Sequence, residues 1–191
     1  MIVTPTDIPE VVILQPTVHE DSRGYFFESF NRAAFEAATG IRTQFVQDNE
    51  SLSRRGVVRG LHFQLAPWAQ SKIIRVVSGS VIDVAVDIRR GSPRFGRHVA
   101  VELSADNRRQ LFIPRGFAHG FAVVSDTAVV QYKCDNPYAP QAEGGIAWDD
   151  PALGIDWGVK PAEAVLSAKD MQRPRLQQCA ELFDYNTDYY A

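Results

Sequence analysis

Two of the four histidines in this chain lie where an acid–base reaction would use them. His62 sits in RGLHFQ (59–64), inside a strand-like run, with Arg59 nearby and Lys72 just beyond the following loop. His119 follows IPRGFA (113–118), where Pro114 and Gly116 shape a turn into a strand. On spacing alone, the plainer reading of each is a core imidazole satisfied by a backbone carbonyl. His19 and His98 stand in polar surroundings and read as surface residues. Tyr132, in VVQYKCD (129–135), shares a strand face with Val130 and Cys134, and the plain alternative is a core tyrosine whose hydroxyl reaches the surface. A metal site is a weak reading, because the stretch around His62 has neither a second histidine two residues away nor a nearby glutamate. No Gly-rich phosphate loop, GxSxG elbow or Cys–His pattern is present. What remains is proton transfer by His, Tyr, Lys and carboxylates.

Strict strand alternation puts Arg59 and His62 on opposite faces. A bulge at Gly60 would bring both into one cavity, and glycine is permissive there.

The elements that must hold these groups are mostly strands. VVILQP (11–16), GYFFESF (24–30), TQFVQDN (43–49), GVVRGLHFQ (56–64), KIIRVVSG (72–79), SVIDVAVDIR (80–89), HVAVEL (98–103), RRQLFIP (108–114), HGFAVVS (119–125) and TAVVQYK (127–133) recur about every dozen residues. Without βαβ alternation, that pattern predicts an all-β fold, a jelly roll or related barrel, as one domain over residues 1–191. In SVIDVAVDIR, Ile82, Val84, Val86 and Ile88 share one face, and Val81, Asp83, Ala85 and Asp87 the other. That acidic face meets either solvent or a polar cavity. SGS (78–80), SADN (104–107) and SDT (125–127) read as hairpin turns. One early helix is predicted, capped by Asn31 and ended by Gly40, and a short one after Ser167 that Pro174 stops.

A net charge of -3 argues against a nucleic-acid binder, since phosphate neutralisation needs a basic surplus. No apolar run approaches membrane-span length and the start reads as no signal peptide. Cys134 and Cys179 are far apart and read as buried or idle thiols, which makes a reducing cytoplasm the simplest address.

Five stretches resemble the dTDP-4-dehydrorhamnose 3,5-epimerase family: DSRGYFFESFN (21–31), FVQDNESLSRRGVVRGLHFQ (45–64), residues 69–96, RRQLFIPRGFAHGFAVVS (108–125) and GIAWDDPALGIDW (145–157). The resemblance spans about residues 8–175, in order and at matching intervals, and the last fifteen or so residues match nothing. It implies a cupin-type jelly roll that forms homodimers, requires no metal or other cofactor, and acts on a dTDP-linked 4-keto-6-deoxyhexose. By motif position, His62 resembles the base and Asp170 its orienting carboxylate, with Asp83 a second candidate for that role. Tyr132 resembles the acid and Lys72 the cation beside the enolate oxygen. Arg59 and His119 resemble diphosphate or sugar contacts. Arg23, Glu28, Gln47 and Asn49, with Asp48 between the last two, match the nucleotide side, Tyr138 a thymine-stacking aromatic, and Glu143 and Lys169 further substrate contacts. Trp68, and the flank QYKCDNPYAP (131–140), depart from the family pattern.

Three functions fit these residues: a 3,5-epimerase, a relative that is a mono-epimerase or 3,4-ketoisomerase, and a non-catalytic nucleotide-sugar binder. An opposed acid and base argue against the last, because binding alone requires neither.

Overall fold

In a computed structural model of residues Met1–Ala191, the Val- and Ile-rich runs fold as strands and the AAFEAA segment as an α-helix. The helix, α1 (Arg32–Thr39), begins where the Asn31 side chain accepts the Ala34 N–H at 3.0 Å and ends at Gly40 in left-handed backbone, φ 72°. The short helix expected after Ser167 is a single 3-10 turn, Asp170–Gln172, whose first N–H donates to Ser167 Oγ at 3.1 Å.

Fifteen strands follow one another along the chain: β1 (Ile2–Pro5), β2 (Val12–Gln15), β3 (Val18–Asp21), β4 (Gly24–Phe27), β5 (Gln47–Arg54), β6 (Val58–Gln64), β7 (Lys72–Ser78), β8 (Ser80–Asp87), β9 (Arg89–Arg90), β10 (His98–Ser104), β11 (Gln110–Ile113), β12 (Phe117–Val123), β13 (Thr127–Cys134), β14 (Glu143–Gly145) and β15 (Phe183–Asp184). Two antiparallel sheets dominate, one ordered β1-β2-β11-β7-β13-β5 and the other β10-β8-β12-β6-β14. From β5 to β8 and again from β10 to β13, each successive strand joins the opposite sheet. This is the cupin-type jelly roll expected from the strand pattern and the resemblance.

The links SGS, SADN and SDT are not hairpin turns. They carry the chain from β7 to β8, β10 to β11 and β12 to β13, each time between sheets. Turn residues encode a tight change of direction, and the apolar strands on either side do not say which sheet comes next. Gly79 shows the demand of such a corner: its φ is +76°, and a Cβ there would lie 2.0 Å from the Thr127 carbonyl oxygen. The sequence-adjacent hairpins are β1–β2 and β3–β4.

Three apolar clusters separate the layers. Ile74, Val76, Val81, Ala85, Leu111, Phe121 and Val130 fill the space between the sheets. Val84, Val86, Ala118, Trp157, Leu176 and Phe183 lie on the outer face of the five-stranded sheet, covered by the chain after residue 146. Phe35 of α1 packs on Phe112 and Ile73 behind the six-stranded sheet. Both faces of β8 are therefore buried, and Asp83 and Asp87, each 0% exposed, point inward rather than to solvent. No helix is long and apolar enough to cross a membrane.

Candidate active site

The two sheets open around a cavity of about 660 Å3. β6 supplies Arg59 and His62, β12 supplies His119, β7 supplies Lys72, β13 supplies Tyr132, and β5 supplies Gln47, Asn49 and Ser51. Arg59 and His62 share this cavity because β6 bulges between them. His62 pairs with His119 and Arg59 with Phe121, so three steps on β6 match two on β12. Gly60 makes the bulge at φ +123°, and a Cβ on it would lie 2.6 Å from Gly120 Cα and 2.7 Å from the His119 oxygen.

His62 Nε2 meets Asp170 Oδ1 at 2.6 Å. The His62 side chain is 34% exposed toward the cavity and the Asp170 side chain only 6%. Burial would raise the Asp170 carboxyl, but the bonds from His62 and Ser167 and the charge of Arg173 outweigh it and hold the group below its ordinary value. One imidazole nitrogen is thus committed to an ionised carboxylate, which leaves the other with its lone pair free to accept a proton.

Asp83, the alternative orienting group, serves the other histidine. His119 Nε2 lies 3.1 Å and 3.0 Å from its two carboxylate oxygens, in a fully buried pair. Burial dominates His119 and lowers its value despite Asp83, with Lys72 and His62 pushing the same way, so the ring is neutral near pH 7.

Lys72 forms no ion pair, and its Nζ lies 5.9 Å from the centre of the Tyr132 ring. Burial lowers its ammonium from the ordinary value, against the pull of Cys134, Asp83 and Glu143. Arg59 likewise has no carboxylate partner and only one side-chain bond, from Nε to Ser53 Oγ at 3.0 Å. Tyr132 is raised above its ordinary value by burial and by Cys134, with Arg59 opposing, so its phenol is protonated near neutrality.

At one side of the cavity, Glu143 gathers three partners. Lys169 Nζ lies 2.7 Å from its Oε1, Tyr138 OH donates to Oε2 at 2.7 Å, and Arg173 closes a further short contact. Burial opposes ionisation there, but these bonds win and lower the carboxyl to about 2. Gln47 Oε1 accepts the Tyr138 backbone N–H at 2.9 Å, and Gln47 Nε2 donates to Asn49 Oδ1 at 2.9 Å. No three His, Cys, Asp or Glu side chains gather in a way that could hold a metal ion.

A model of the dTDP-4-dehydrorhamnose 3,5-epimerase family matches residues 5–178. The chain belongs to that family. The 3,5-epimerase of Shigella flexneri is 54% identical over 171 residues, covering 90% of this chain and 93% of that protein. A crystal structure of dTDP-6-deoxy-D-glucose-3,5-epimerase from Legionella pneumophila Philadelphia 1, in complex with dTDP-4-keto-L-rhamnose, superposes with a TM-score of 0.92 at 45% identity, covering 97% of this chain and 98% of that one. A 3′-monoepimerase from Streptomyces bikiniensis, in complex with dTDP-quinovose, gives a TM-score of 0.85 at 35% identity, covering 91% and 87%.

In this 3,5-epimerase family member, an isomerase-class enzyme, eleven of the singled-out side chains meet in the cavity: Gln47, Asn49, Arg59, His62, Lys72, His119, Tyr132, Tyr138, Glu143, Lys169 and Asp170. Three do not. Asp48 points to the other face of β5, as alternation requires, and pairs with Lys133 at 2.8 Å. Arg23 sits between β3 and β4 and pairs with Asp21 at 2.6 Å, while Glu28 accepts from Asn31 at 3.0 Å. Their sequence motif is intact, but nothing in this chain's own topology brings them to its cavity. His98, read as a surface residue, is half-buried on β10.

Residues not singled out also line the site. Ser51 adds a buried hydroxyl without a partner. Cys134, read as a buried or idle thiol, is buried in the cavity wall, and burial pushes it up to about 11, so it is neutral. Parity with Tyr132 and Asn49 on their strands was the available signal for both. Arg173 is held to Glu143 by a fold no local pattern announces.

Proposed function

We propose that this chain converts dTDP-4-dehydro-6-deoxy-D-glucose to dTDP-4-dehydro-L-rhamnose by inverting carbons 3 and 5. Both carbons are α to the 4-ketone, so removal of either proton leaves an enolate. His62 is the general base, oriented by Asp170, whose carboxylate stabilises the imidazolium once the proton is taken. Lys72, an unpaired cation in the cavity, faces the charge that develops on the ketone oxygen. Tyr132 returns a proton from the other side.

One observation carries this reading: base and acid project into one cavity from opposite sheets, His62 from the five-stranded and Tyr132 from the six-stranded one. Inversion needs a proton removed from one face of the carbon and delivered to the other, and two facing sheets supply two faces. Arg59 and His119 contact the diphosphate or sugar, Gln47 and Asn49 the nucleotide, and Tyr138 the thymine ring, with Glu143 and Lys169 as further contacts. The dTDP-sugars bound in the Legionella and Streptomyces structures support that choice of ligand.

The working form is a homodimer. Tyr25 and Phe26 on β4 are 58% and 71% exposed, and pairing would cover them. Such an arrangement also gives Arg23, Glu28 and Asp48 a use, as contacts to the nucleotide held by the second copy. Two free thiols suit a reducing cytoplasm.

Incubation with dTDP-4-keto-6-deoxyglucose in heavy water tests the reading. Deuterium at both carbons 3 and 5, with both configurations inverted, is expected. Deuterium at one carbon alone would make this a mono-epimerase, and none at either would leave a binding protein.

A further inference from the structure

Residues 179–191 lie beyond the part of the chain that the family model matches, yet they are built into the back of the cavity wall. β15 pairs in parallel with β9, and Phe183 is buried in the cluster outside the five-stranded sheet. Tyr189 packs edge-on to Phe183 at 4.9 Å, and its carbonyl accepts Arg115 Nη1 at 2.5 Å. The next residue, Tyr190, lies under the Arg115 guanidinium, 4.9 Å from the ring centre. Its hydroxyl accepts the Arg115 backbone N–H at 3.1 Å and meets Ser71 Oγ at 2.5 Å.

Ser71 is 0% exposed and is the residue immediately before Lys72. Its N–H donates to Asp135 Oδ1 at 2.6 Å, and Asp135 Oδ2 takes Arg115 Nε at 3.2 Å and Thr43 Oγ1 at 2.9 Å. Asp135 in turn follows Cys134, the register partner of Lys72 across β7 and β13. The network therefore grips both strands at the point where Lys72 leaves the backbone. Lys72 itself has no ion-pair partner to hold its ammonium in place, so the direction of its side chain depends on how firmly that point is fixed.

We propose that Tyr190 is a positioning residue for Lys72, its hydroxyl fixing Ser71 and so aiming the ammonium at the enolate oxygen. The inference rests on the role given to Lys72 above. A cation must lie within hydrogen-bond range of the developing charge, and a displacement near 1 Å caused far from the chemistry costs up to ~10²-fold in rate.

A mutant cycle tests it. Tyr190→Phe in the 191-residue chain removes the hydroxyl and keeps the ring stacked on Arg115. It should lower kcat about tenfold, with KM for the sugar nucleotide and affinity for dTDP within about twofold, since no nucleotide contact is altered. In a Lys72→Ala background, assayed by deuterium exchange at high enzyme concentration, the same change should cost less than about twofold. Tyr190→Ala, with thermal melting of every variant, separates loss of position from loss of fold. Equal losses in both backgrounds, or no loss in either, would overturn the proposal. A Lys72→Ala protein with unaltered kcat would instead refute the role of Lys72 itself, whatever Tyr190 does.

Discussion

The chemistry at residue scale rests on sorting two similar His–Asp pairs. His62–Asp170 keeps the imidazole partly open to the cavity, whereas His119–Asp83 is wholly buried and its histidine is depressed by burial. Both histidines line the cavity, but the first turns 34% of its side chain to it with a carboxylate behind the ring, against 8% for the second. His62→Ala should therefore lower turnover roughly 10²–10⁴-fold while dTDP affinity, measured by calorimetry, changes little. A variant that exchanges both protons at near the normal rate would remove His62 from its role. Glu143 ties stability to pH. Its carboxyl falls from 4.5 to about 2 on folding, so its ion pairs stabilise the fold fully above pH 4.5, and that contribution is lost as pH falls through about 2. Urea unfolding should show wild type more stable than Glu143→Gln at pH 7, with the gap closing in acid. A gap that stays constant down to pH 2 would contradict the account.

At the scale of elements, β6 decides the site. Its bulge turns two side chains that alternation would separate into neighbours across one cavity, and Gly60 has no room for a Cβ. Gly60→Ala should push β6 from β12, lower the melting temperature, and reduce activity more than the loss of folded protein explains. Circular dichroism melts paired with specific activity per folded molecule would show this, and an unaltered variant would mean that the bulge is dispensable. The need for a bulge was legible because Arg59 and His62 have the wrong parity for one face. All ten strand runs were legible too, though TQFVQDN (43–49) became a strand only from Gln47, which then continues through the polar NESLSR to Arg54. Alternating polar residues look like a loop until one face is seen to line a cavity. The three sheet-crossing corners were misread as hairpins because turn chemistry is local and sheet membership is not. Arg173 and Tyr190 were invisible for the same reason, since each meets its partner across at least 30 residues of sequence.

At the scale of the whole molecule, two sheets close over a cavity while three of the residues matched to nucleotide binding face away from it. The proposed second copy would resolve that mismatch. Light scattering at micromolar concentration should give about twice the 21.3 kDa chain mass, and a fully active monomer would exclude it. In the proposed mechanism, protons leave toward one sheet and return from the other. Tyr132→Phe tests it most directly, because the change keeps the ring and deletes only the proton. Deuterium uptake at carbons 3 and 5 is followed by NMR, and product configuration is read after coupling to a reductase. The account predicts that exchange at His62 persists with retained configuration while epimerised product falls and dTDP binding holds; full inversion at both carbons by Tyr132→Phe would contradict it.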